Sequence, residues 1–402
     1  MKINCAYRYE LKPTYANRIL LAKHAGVARF SCNWGLAQRI ALYEESKEST
    51  NAIEQHRLLN ELKSEQFPWM YEVSKCAPQE ALRDLDKAFN HFFRGIKQRK
   101  KIGFPSFKKK GYSDRFRLTG TIKITGKKIR LPRLGTIGLK EKSKVQGRIL
   151  SATVTREADR WYVSLSVEME RPDPQPVQGD CVGIDLGLNC FAALSTGEQL
   201  FSPKPLAQYL RRLRRSSRQH SRKQKGSQNR KKSALKLLRL HRKIRYIRQD
   251  FLHKQTTKLA KTKSVIVLED LNVKGMKTNH NLSRQISDVG WGNFRRMLEY
   301  KTKWYGSKLI IAPRFFPSSK TCSNCGYVVK ELPLKIRRWQ CTSCHSVHDR
   351  DLNAALNLLK FNTGSSPGIH ACGDTSNGAS QNLASYVSLK QEVNNGIFVH
   401  KL

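Results

Sequence analysis

Acidic residues are scarce in this sequence. Its 402 residues include 75 Lys and Arg but 31 Asp and Glu, which gives a formal net charge of +44 at pH 7. A compact chain with this charge would repel itself unless a polyanion neutralised it. Because 39% of the residues are hydrophobic, the chain is able to form cores and is not a disordered protein. The composition predicts two or three folded domains whose main partner is nucleic acid.

Long apolar runs are also missing. The sequence has no run of 18 apolar residues and no basic amphipathic segment with a continuous apolar face, so a membrane is not expected as a partner. The opening segment MKINCAYRYELKP lacks the apolar core of a signal peptide, and we expect a cytoplasmic protein. In that compartment the ten cysteines should stay reduced, as metal ligands or inert core residues rather than disulfides.

The hydrophobic pattern divides the chain into segments of different type. Residues 3 to 11 alternate as a strand, and apolar residues at helical spacing follow after Pro13. Residues 115 to 170 contain short β-rich runs at hairpin spacing, which predict a small barrel or sandwich that the first strand can join. The proline-rich segment 171 to 180 is the clearest domain boundary. The predicted strands of the β-rich region are RFRLTG, TIKITG, KIRLPRLG, LSATVTRE and RWYVSLSVEME.

Two segments combine positive charge with features that suit nucleic acid. Between Lys204 and Lys254 the chain is intensely basic, but its apolar residues keep helical spacing, which predicts a helical hairpin with a loop near Gly226. Few acids are interspersed there, so contact with phosphates explains the charge better than solvation does. In GFPSFKKKGY, residues 103 to 112, aromatic residues are interleaved with lysines. These aromatics can stack on bases or pack into a core, and both interpretations stay open.

Three acidic sites lie at or next to buried elements. Asp185 interrupts the apolar run VGIDLGLN, Glu269 closes the run SVIVLE, and Asp349 and Asp351 precede the helical run LNAALN. The order of elements around them is that of an RNase H-like α/β sheet. Two divalent ions about 4 Å apart, held by carboxylate oxygens, can activate water and stabilise the leaving oxygen of a phosphodiester.

We therefore predict a nuclease site in which Asp185, Glu269 and Asp351 hold Mg²⁺ or Mn²⁺, with Asp185 bridging the ions. Asp349 and Asp351 are two positions apart and cannot both face the same way on a helix. Asp349 is well placed as a helix N-cap. Capping by Asp349 favours Asp351, in the first turn of the helix, as the third metal ligand, and the residues alone leave Asp349 as the alternative.

The cysteine spacing predicts a second metal site. Cys322, Cys325, Cys341 and Cys344 form two C-x2-C pairs separated by fifteen residues, a pattern that places four thiolates around a structural Zn²⁺. Four thiolates complete such a site, so neither His345 nor His348 is predicted to be a ligand. The remaining cysteines, which include Cys372, are predicted to be inert. The Gly-, Ser- and Asn-rich tail, residues 363 to 402, is predicted to be disordered.

The motifs together resemble one protein family. VGIDLGLN, VLEDLN, the paired TCSNCG and CTSC, and DRDLNAALN resemble the signature blocks of TnpB, the accessory protein of bacterial and archaeal insertion sequences. YRYELKPT and GFPSFKKK resemble its N-terminal half, so the similarity extends to about residue 362. TnpB proteins are RNA-guided DNA endonucleases, similar to the ancestors of type V CRISPR effectors.

The resemblance implies a multidomain α+β protein of the bacterial or archaeal cytoplasm, at the nucleoid. Asp185, Glu269 and Asp351 would be its RuvC catalytic carboxylates. Its partners would be a guide RNA from the mobile element and double- and single-stranded target DNA, with a short motif next to the target bound by the protein. The implied domains are a β-barrel wedge domain (1–13 and 101–177), a helical recognition lobe (14–100), an RNase H-like (RuvC) nuclease domain (178–314 and 345–362) and an inserted zinc ribbon (315–344).

Two other functions are compatible with the residues. A RuvC-like DNA transposase or junction resolvase would use the same carboxylates without RNA. A zinc-containing regulator of transposition would bind nucleic acid without cutting it. A defined RNA bound to the purified protein distinguishes the guided enzyme from the first, and metal-dependent nicking distinguishes it from the second.

Overall fold

The computed structural model describes residues 1–112 and 114–362. It has a mixed α/β fold in which two separate sheets each pack against helices. The predicted disordered tail, residues 363 to 402, and Cys372 lie outside the described residues. In the part of the chain that the structure describes, no helix is long and apolar enough to cross a membrane.

An antiparallel sheet forms the first half of the chain. Its hydrogen-bonded order is β2-β6-β7-β1-β5-β4-β3, so the first strand joins the β-rich region as predicted. Strands β2 and β3 lie at opposite ends of that order and do not pair with each other among the described residues. The strand pairing is therefore that of an open sheet. The strands are β1 (Lys2–Lys12), β2 (Arg115–Leu118), β3 (Lys123–Thr125), β4 (Lys128–Leu131), β5 (Gly135–Leu139), β6 (Arg148–Glu157) and β7 (Arg160–Glu170).

Strand β5 was not predicted from the sequence. The predicted run KIRLPRLG ends where β5 begins, and two glycines among the five residues of β5 weaken its strand pattern. Its Ile137 and Leu139 are nevertheless buried, and it pairs with both β1 and β4. Neighbouring strands therefore determine this element more than its own residues do.

The two longest helices of the first half, α1 and α3, pack against this sheet and share one core with it, whereas α2 and the 3₁₀ helix pack in a separate cluster against α1 and α3. Helix α1 begins after Thr14, whose hydroxyl accepts a hydrogen bond from the Asn17 N–H (3.3 Å), and it ends at Lys47 in the left-handed conformation. Leu21 and Leu36 of α1 and Leu85 of α3 are buried in the shared core. The elements are α1 (Tyr15–Ser46), α2 (Ala52–Leu62), a 3₁₀ helix (Pro68–Glu72) and α3 (Cys76–Lys97).

The second half is built around a five-stranded sheet of order β10-β9-β8-β11-β12. Strands β8, β11 and β12 are parallel, whereas β9 and β10 are antiparallel. The elements are β8 (Val182–Leu186), β9 (Ala192–Leu194), β10 (Gln199–Leu200), α4 (Pro205–Ser221), α5 (Gln228–Thr262), β11 (Val265–Glu269), α6 (Val273–Met276), α7 (His280–Val289), α8 (Trp291–Tyr305), β12 (Lys308–Ala312), β13 (Arg338–Gln340), β14 (Val347–Asp349) and α9 (Arg350–Asn362).

The last helix, α9, packs directly on the central strand β8. Gly183 of β8 makes this close approach possible, since a Cβ atom there would lie 2.0 Å from the Ala355 carbonyl oxygen and 2.6 Å from the Leu359 backbone nitrogen. Ala355 and Leu358 of α9 are fully buried. Gly183 thus lets the middle of α9 lie directly against β8.

Candidate active site and metal centre

Asp185 and Glu269 lie side by side at the carboxyl ends of adjacent parallel strands. Leu268 of β11 is opposite Ile184 of β8, and the two acidic residues follow directly. The backbone N–H of Leu186 donates a hydrogen bond to Glu269 Oε1 (3.3 Å), which holds that carboxylate against β8. Both side chains are partly buried. Parallel pairing therefore produces the proximity that the sequence predicted.

Asp351 approaches the same place from α9. It lies in the first turn of that helix, and Arg337 pairs with its Oδ1 at 3.2 Å. Burial, then the nearby carboxylates of Glu269 and Asp351, raise the pKa of Asp185 well above its ordinary value, and Arg350 and Arg337 oppose this effect. The structure thus brings Glu269 and Asp351 within electrostatic reach of Asp185. Arg337 was not predicted, because it lies fourteen positions before its partner in the chain.

The electrostatics of this site favour a bound cation. Burial raises the pKa of Glu269 to about 7, although the hydrogen bond from Leu186 opposes the shift. Carboxylates that repel one another away from water retain protons unless a positive charge neutralises them. A hard divalent ion bound by oxygen ligands would supply that charge, and the three carboxylates provide oxygen donors of the kind that such an ion binds. They do not form one compact group, however; among the described residues, four cysteines do.

The acidic neighbours of these residues have other partners. Asp349 Oδ1 accepts hydrogen bonds from the N–H groups of Asp351 (3.1 Å) and Leu352 (3.0 Å), so it caps α9 as predicted. Asp270, which follows Glu269 in the chain, pairs with Arg314 at 2.7 Å and also with Arg295. Their side chains have structural roles.

The four predicted zinc ligands form a compact cluster. The sulfur atoms of Cys322, Cys325, Cys341 and Cys344 all lie within 4.8 Å of one another. Hydrogen bonds with the hydroxyl and backbone of Ser346 lower the pKa of Cys344 to about 5, while burial raises the pKa of Cys322 to about 12. Tetrahedral thiolate sites hold Zn²⁺ at this kind of spacing, so the cluster fits a structural zinc ion.

One histidine lies closer to this cluster than the sequence suggested. His348 Nε2 is 3.0 Å from Cys322 Sγ, and its ring packs on Trp339 at a centroid distance of 4.9 Å. His345, by contrast, has φ of 60° in the turn of the second cysteine pair. The alternation of β14 directs His348 inward, a feature that follows from pairing with β13 and not from cysteine spacing.

The basic hairpin has the predicted form. Helices α4 and α5 run on either side of a loop in which Gly226 has φ of 87°. The carboxylate of Asp288, at the end of α7, accepts hydrogen bonds from the N–H groups of Leu206 (3.0 Å) and Ala207 (3.1 Å) and pairs with Arg248 (2.8 Å). This carboxylate fixes where the hairpin starts. The groove between α4 and α5 is lined by Arg212, Ser216, Lys232, Lys236, Arg239 and Lys243.

The aromatic segment 103 to 112 packs against the core at one residue and is exposed at two others. Phe104 packs edge-on against Phe89 and Phe92, with ring centroids 5.5 and 5.4 Å apart, yet it is half exposed. Phe107 and Tyr112 are more exposed than buried. One aromatic residue thus packs partly against the core, and the other two are exposed on either side of Lys108, Lys109 and Lys110 in the sequence.

Comparisons with known proteins cover both halves of the chain. Family models described as "Probable transposase", "Cas12f1-like, TNB domain" and "Helix-turn-helix domain" match residues 164–280, 291–358 and 1–48. Within residues 1–48 the structure contains β1 and the single long helix α1 rather than two helices joined by a turn. A solved structure described as "Cryo-EM structure of the Cas12f1-sgRNA-target DNA complex" is similar in fold, with a TM-score of 0.51, 14% identity, and coverage of 89% of this chain and 99% of that chain.

Curated relatives align over almost the whole length. A Streptomyces pristinaespiralis protein named "Putative RNA-guided DNA endonuclease" is 36% identical, with coverage of 93% of this chain and 92% of the relative. A relative from Escherichia coli (strain K12), named for the same activity, is 31% identical, with coverage of 93% and 95%. TnpB-like proteins of Acanthamoeba polyphaga mimivirus are 30% identical over 34% of this chain. The chain belongs to the TnpB family.

Proposed function

We propose that this protein is an RNA-guided DNA endonuclease of a transposable element, whose nuclease site consists of Asp185, Glu269 and Asp351. The observation that carries the proposal is the convergence of these carboxylates from β8, β11 and α9, with a raised pKa at Asp185 caused in part by the other two. The names of the two long relatives supply the activity, and the similar Cas12f1 structure, a complex with sgRNA and target DNA, supplies the two partners.

The residues around the site would hold the reacting groups in place. When bound, divalent ions supply a nucleophilic hydroxide and stabilise the charge on the leaving oxygen. Asp185, on the central strand, is the rigidly placed residue suited to bridging two ions. The Leu186 N–H orients Glu269, and Arg337 orients Asp351. Loss of such outer contacts to metal ligands typically weakens metal affinity by about 10- to 100-fold.

The proposed domains follow from the same residues. The order of β8, β11, β12 and α9 supports an RNase H-like nuclease domain, and the four cysteines support an inserted zinc ribbon. The sheet β1–β7 would be the wedge domain, and α1 to α3 the recognition lobe. The basic groove between α4 and α5 would contact phosphates of the guide RNA or its duplex with DNA.

RNA binding should depend strongly on salt, because phosphate neutralisation releases counterions. Replacing Lys232, Lys236 and Lys243 by Ala should reduce the slope of log affinity against log salt by roughly two to three, since each phosphate that is no longer neutralised accounts for about 0.7 to 0.9. The RNA that copurifies with the wild-type protein should be sequenced and then used as the ligand in filter binding from low to high salt.

Arginine at the same three positions is the matched control, since it keeps the charge and should keep the slope. An unchanged slope in the alanine variant would place the phosphates elsewhere. Copurification of no defined RNA would contradict a guided enzyme and favour a resolvase that binds DNA directly.

A further inference from the structure

Two buried asparagines on α9 bind the backbone next to the zinc cluster. Asn353 and Asn357 are 1% and 3% exposed and lie one turn apart on the same face of the helix. Asn357 Nδ2 donates hydrogen bonds to the carbonyl oxygens of Ser318 (2.8 Å) and Thr321 (2.6 Å), and Asn353 Nδ2 donates to the latter at 2.7 Å. The Ser323 N–H donates to Asn353 Oδ1 at 2.8 Å.

These contacts surround Cys322. Thr321 precedes it and Ser323 follows it, so both of its peptide neighbours are held by α9. Lys360, one turn further along α9, donates a hydrogen bond to the Ser323 carbonyl oxygen as well. The first cysteine pair is therefore attached to α9 by side chains rather than by continuity of the chain.

The second cysteine pair reaches the same helix through the backbone. Strand β14 follows Cys344, pairs with β13, and continues directly into α9 at Arg350. The Arg350 N–H also donates to the Arg337 carbonyl oxygen (2.8 Å), and Arg337 pairs with Asp351. Both halves of the cysteine cluster thus converge on the first turns of α9, where Asp351 lies.

We infer that Asn353 and Asn357 are positioning residues that couple zinc binding at the four cysteines to the placement of Asp351 in the nuclease site; this inference rests on the proposed function. If the loop at Cys322 loses its metal-bound geometry, two fully buried amides lose their acceptors. Leaving buried polar groups unpaired is unfavourable, so α9 would shift toward another arrangement. By linkage, divalent ions at the carboxylates should in turn tighten zinc binding, and we expect the tighter binding to appear as slower loss of zinc.

The test measures metal binding in the full-length protein. Mn²⁺ affinity is followed by the electron paramagnetic resonance signal of the free ion, and zinc retention by exchange with isotopically labelled zinc. Asn357→Ala should speed zinc exchange and weaken Mn²⁺ binding by about tenfold, the lower end of what outer contacts of metal ligands contribute. Asn293→Ala, which removes an exposed amide from α8, is the matched control and should change neither quantity.

A second measurement needs no substitution and decides the matter if Asn357→Ala fails to fold. Saturating Mg²⁺ should slow zinc exchange in the wild-type protein severalfold. The inference is overturned if Mg²⁺ leaves zinc exchange unchanged, or if a folded Asn357→Ala protein exchanges zinc faster but binds Mn²⁺ as the wild type does.

Asp185→Ala separates this failure from a failure of the proposed function. If it loses Mn²⁺ binding while the Asn357→Ala protein keeps it, the nuclease site stands and the coupling is wrong. If Asp185→Ala binds Mn²⁺ as tightly as the wild type, the proposed metal site itself is wrong, and the inference fails with it.

Discussion

Asp185→Ala should abolish DNA cleavage while leaving RNA and target binding nearly intact. Metal ions supply several kcal/mol of transition-state stabilisation, and each 1.36 kcal/mol corresponds to a tenfold change in rate, so we expect a loss of about 10³-fold or more. Binding should persist because it depends on phosphate contacts distributed over the basic surfaces. Cleavage with Mg²⁺ or Mn²⁺ and RNA affinity should be measured on the same preparation.

A stability measurement distinguishes this role from a structural one. Burial and two neighbouring carboxylates raise the pKa of Asp185, so its ionised form is unfavourable in the metal-free fold. Removing the side chain should therefore not lower the melting temperature measured in EDTA, and should reduce the stabilisation produced by Mg²⁺. A variant that melts well below the wild type in EDTA would indicate that Asp185 serves the fold.

The two acidic residues of the sequence Asp349-Arg350-Asp351 provide a matched control. Asp351→Ala should lose cleavage as Asp185→Ala does, and so should Glu269→Ala. Asp349→Ala removes the cap of α9 and should cost about 1 kcal/mol of stability while retaining metal-dependent cleavage at matched folded concentration. An active Asp351→Ala beside an inactive Asp349→Ala would show that the two carboxylates have been assigned in the wrong order.

Gly183→Ala should disrupt the same site without touching an acidic residue. The added Cβ would lie 2.0 Å from the Ala355 carbonyl oxygen and 2.6 Å from the Leu359 nitrogen, both backbone atoms of α9. Backbone atoms of a helix cannot move aside as the end of a flexible side chain can, so α9 must move away from β8. Overpacking of this kind costs about 1 to 3 kcal/mol, and Asp351 would move with the helix. We expect a lower unfolding free energy in urea and loss of cleavage together.

Gly292→Ala is the control for this substitution. Gly292 lies in α8, and a Cβ atom there would meet nothing within 4 Å. Alanine should therefore preserve cleavage and stabilise the helix by up to about 1 kcal/mol. A Gly183→Ala protein with wild-type stability and activity would mean that the contact between β8 and α9 is not tight in solution.

The sequence predicts the elements with strong local signals. Continuous apolar runs predict β8 and β11, and their acidic ends become neighbours because parallel strands end at the same edge of a sheet. Helical spacing of leucine, isoleucine and phenylalanine residues within a basic segment predicts α5, and the cysteine pairs predict their own cluster. In each case the pattern that predicts the element lies within the element's own residues.

The structure contributes what depends on distant contacts. Polar residues such as Asn353 and Asn357 ordinarily face solvent on a helix, and nothing in their spacing indicates that the loop before Cys322 covers them. The pairing of Arg337 with Asp351 depends on the β13–β14 hairpin, which brings the two residues together. Strand β5 depends on pairing with β1 and β4, because two glycines among its five residues weaken its alternating hydrophobic pattern. These features follow from packing between segments rather than from local preference.

Programmed cleavage tests the central claim most directly. Two complexes should be prepared that share the protein and the structured part of the copurified RNA but carry different guide segments. Each should then be offered a DNA library that contains both matching sequences, with Mg²⁺ and with EDTA. We predict that each complex cuts only the DNA that matches its own guide, only with Mg²⁺, and not when Asp185 is replaced by Ala. Cutting at the same sites with either guide would contradict RNA guidance.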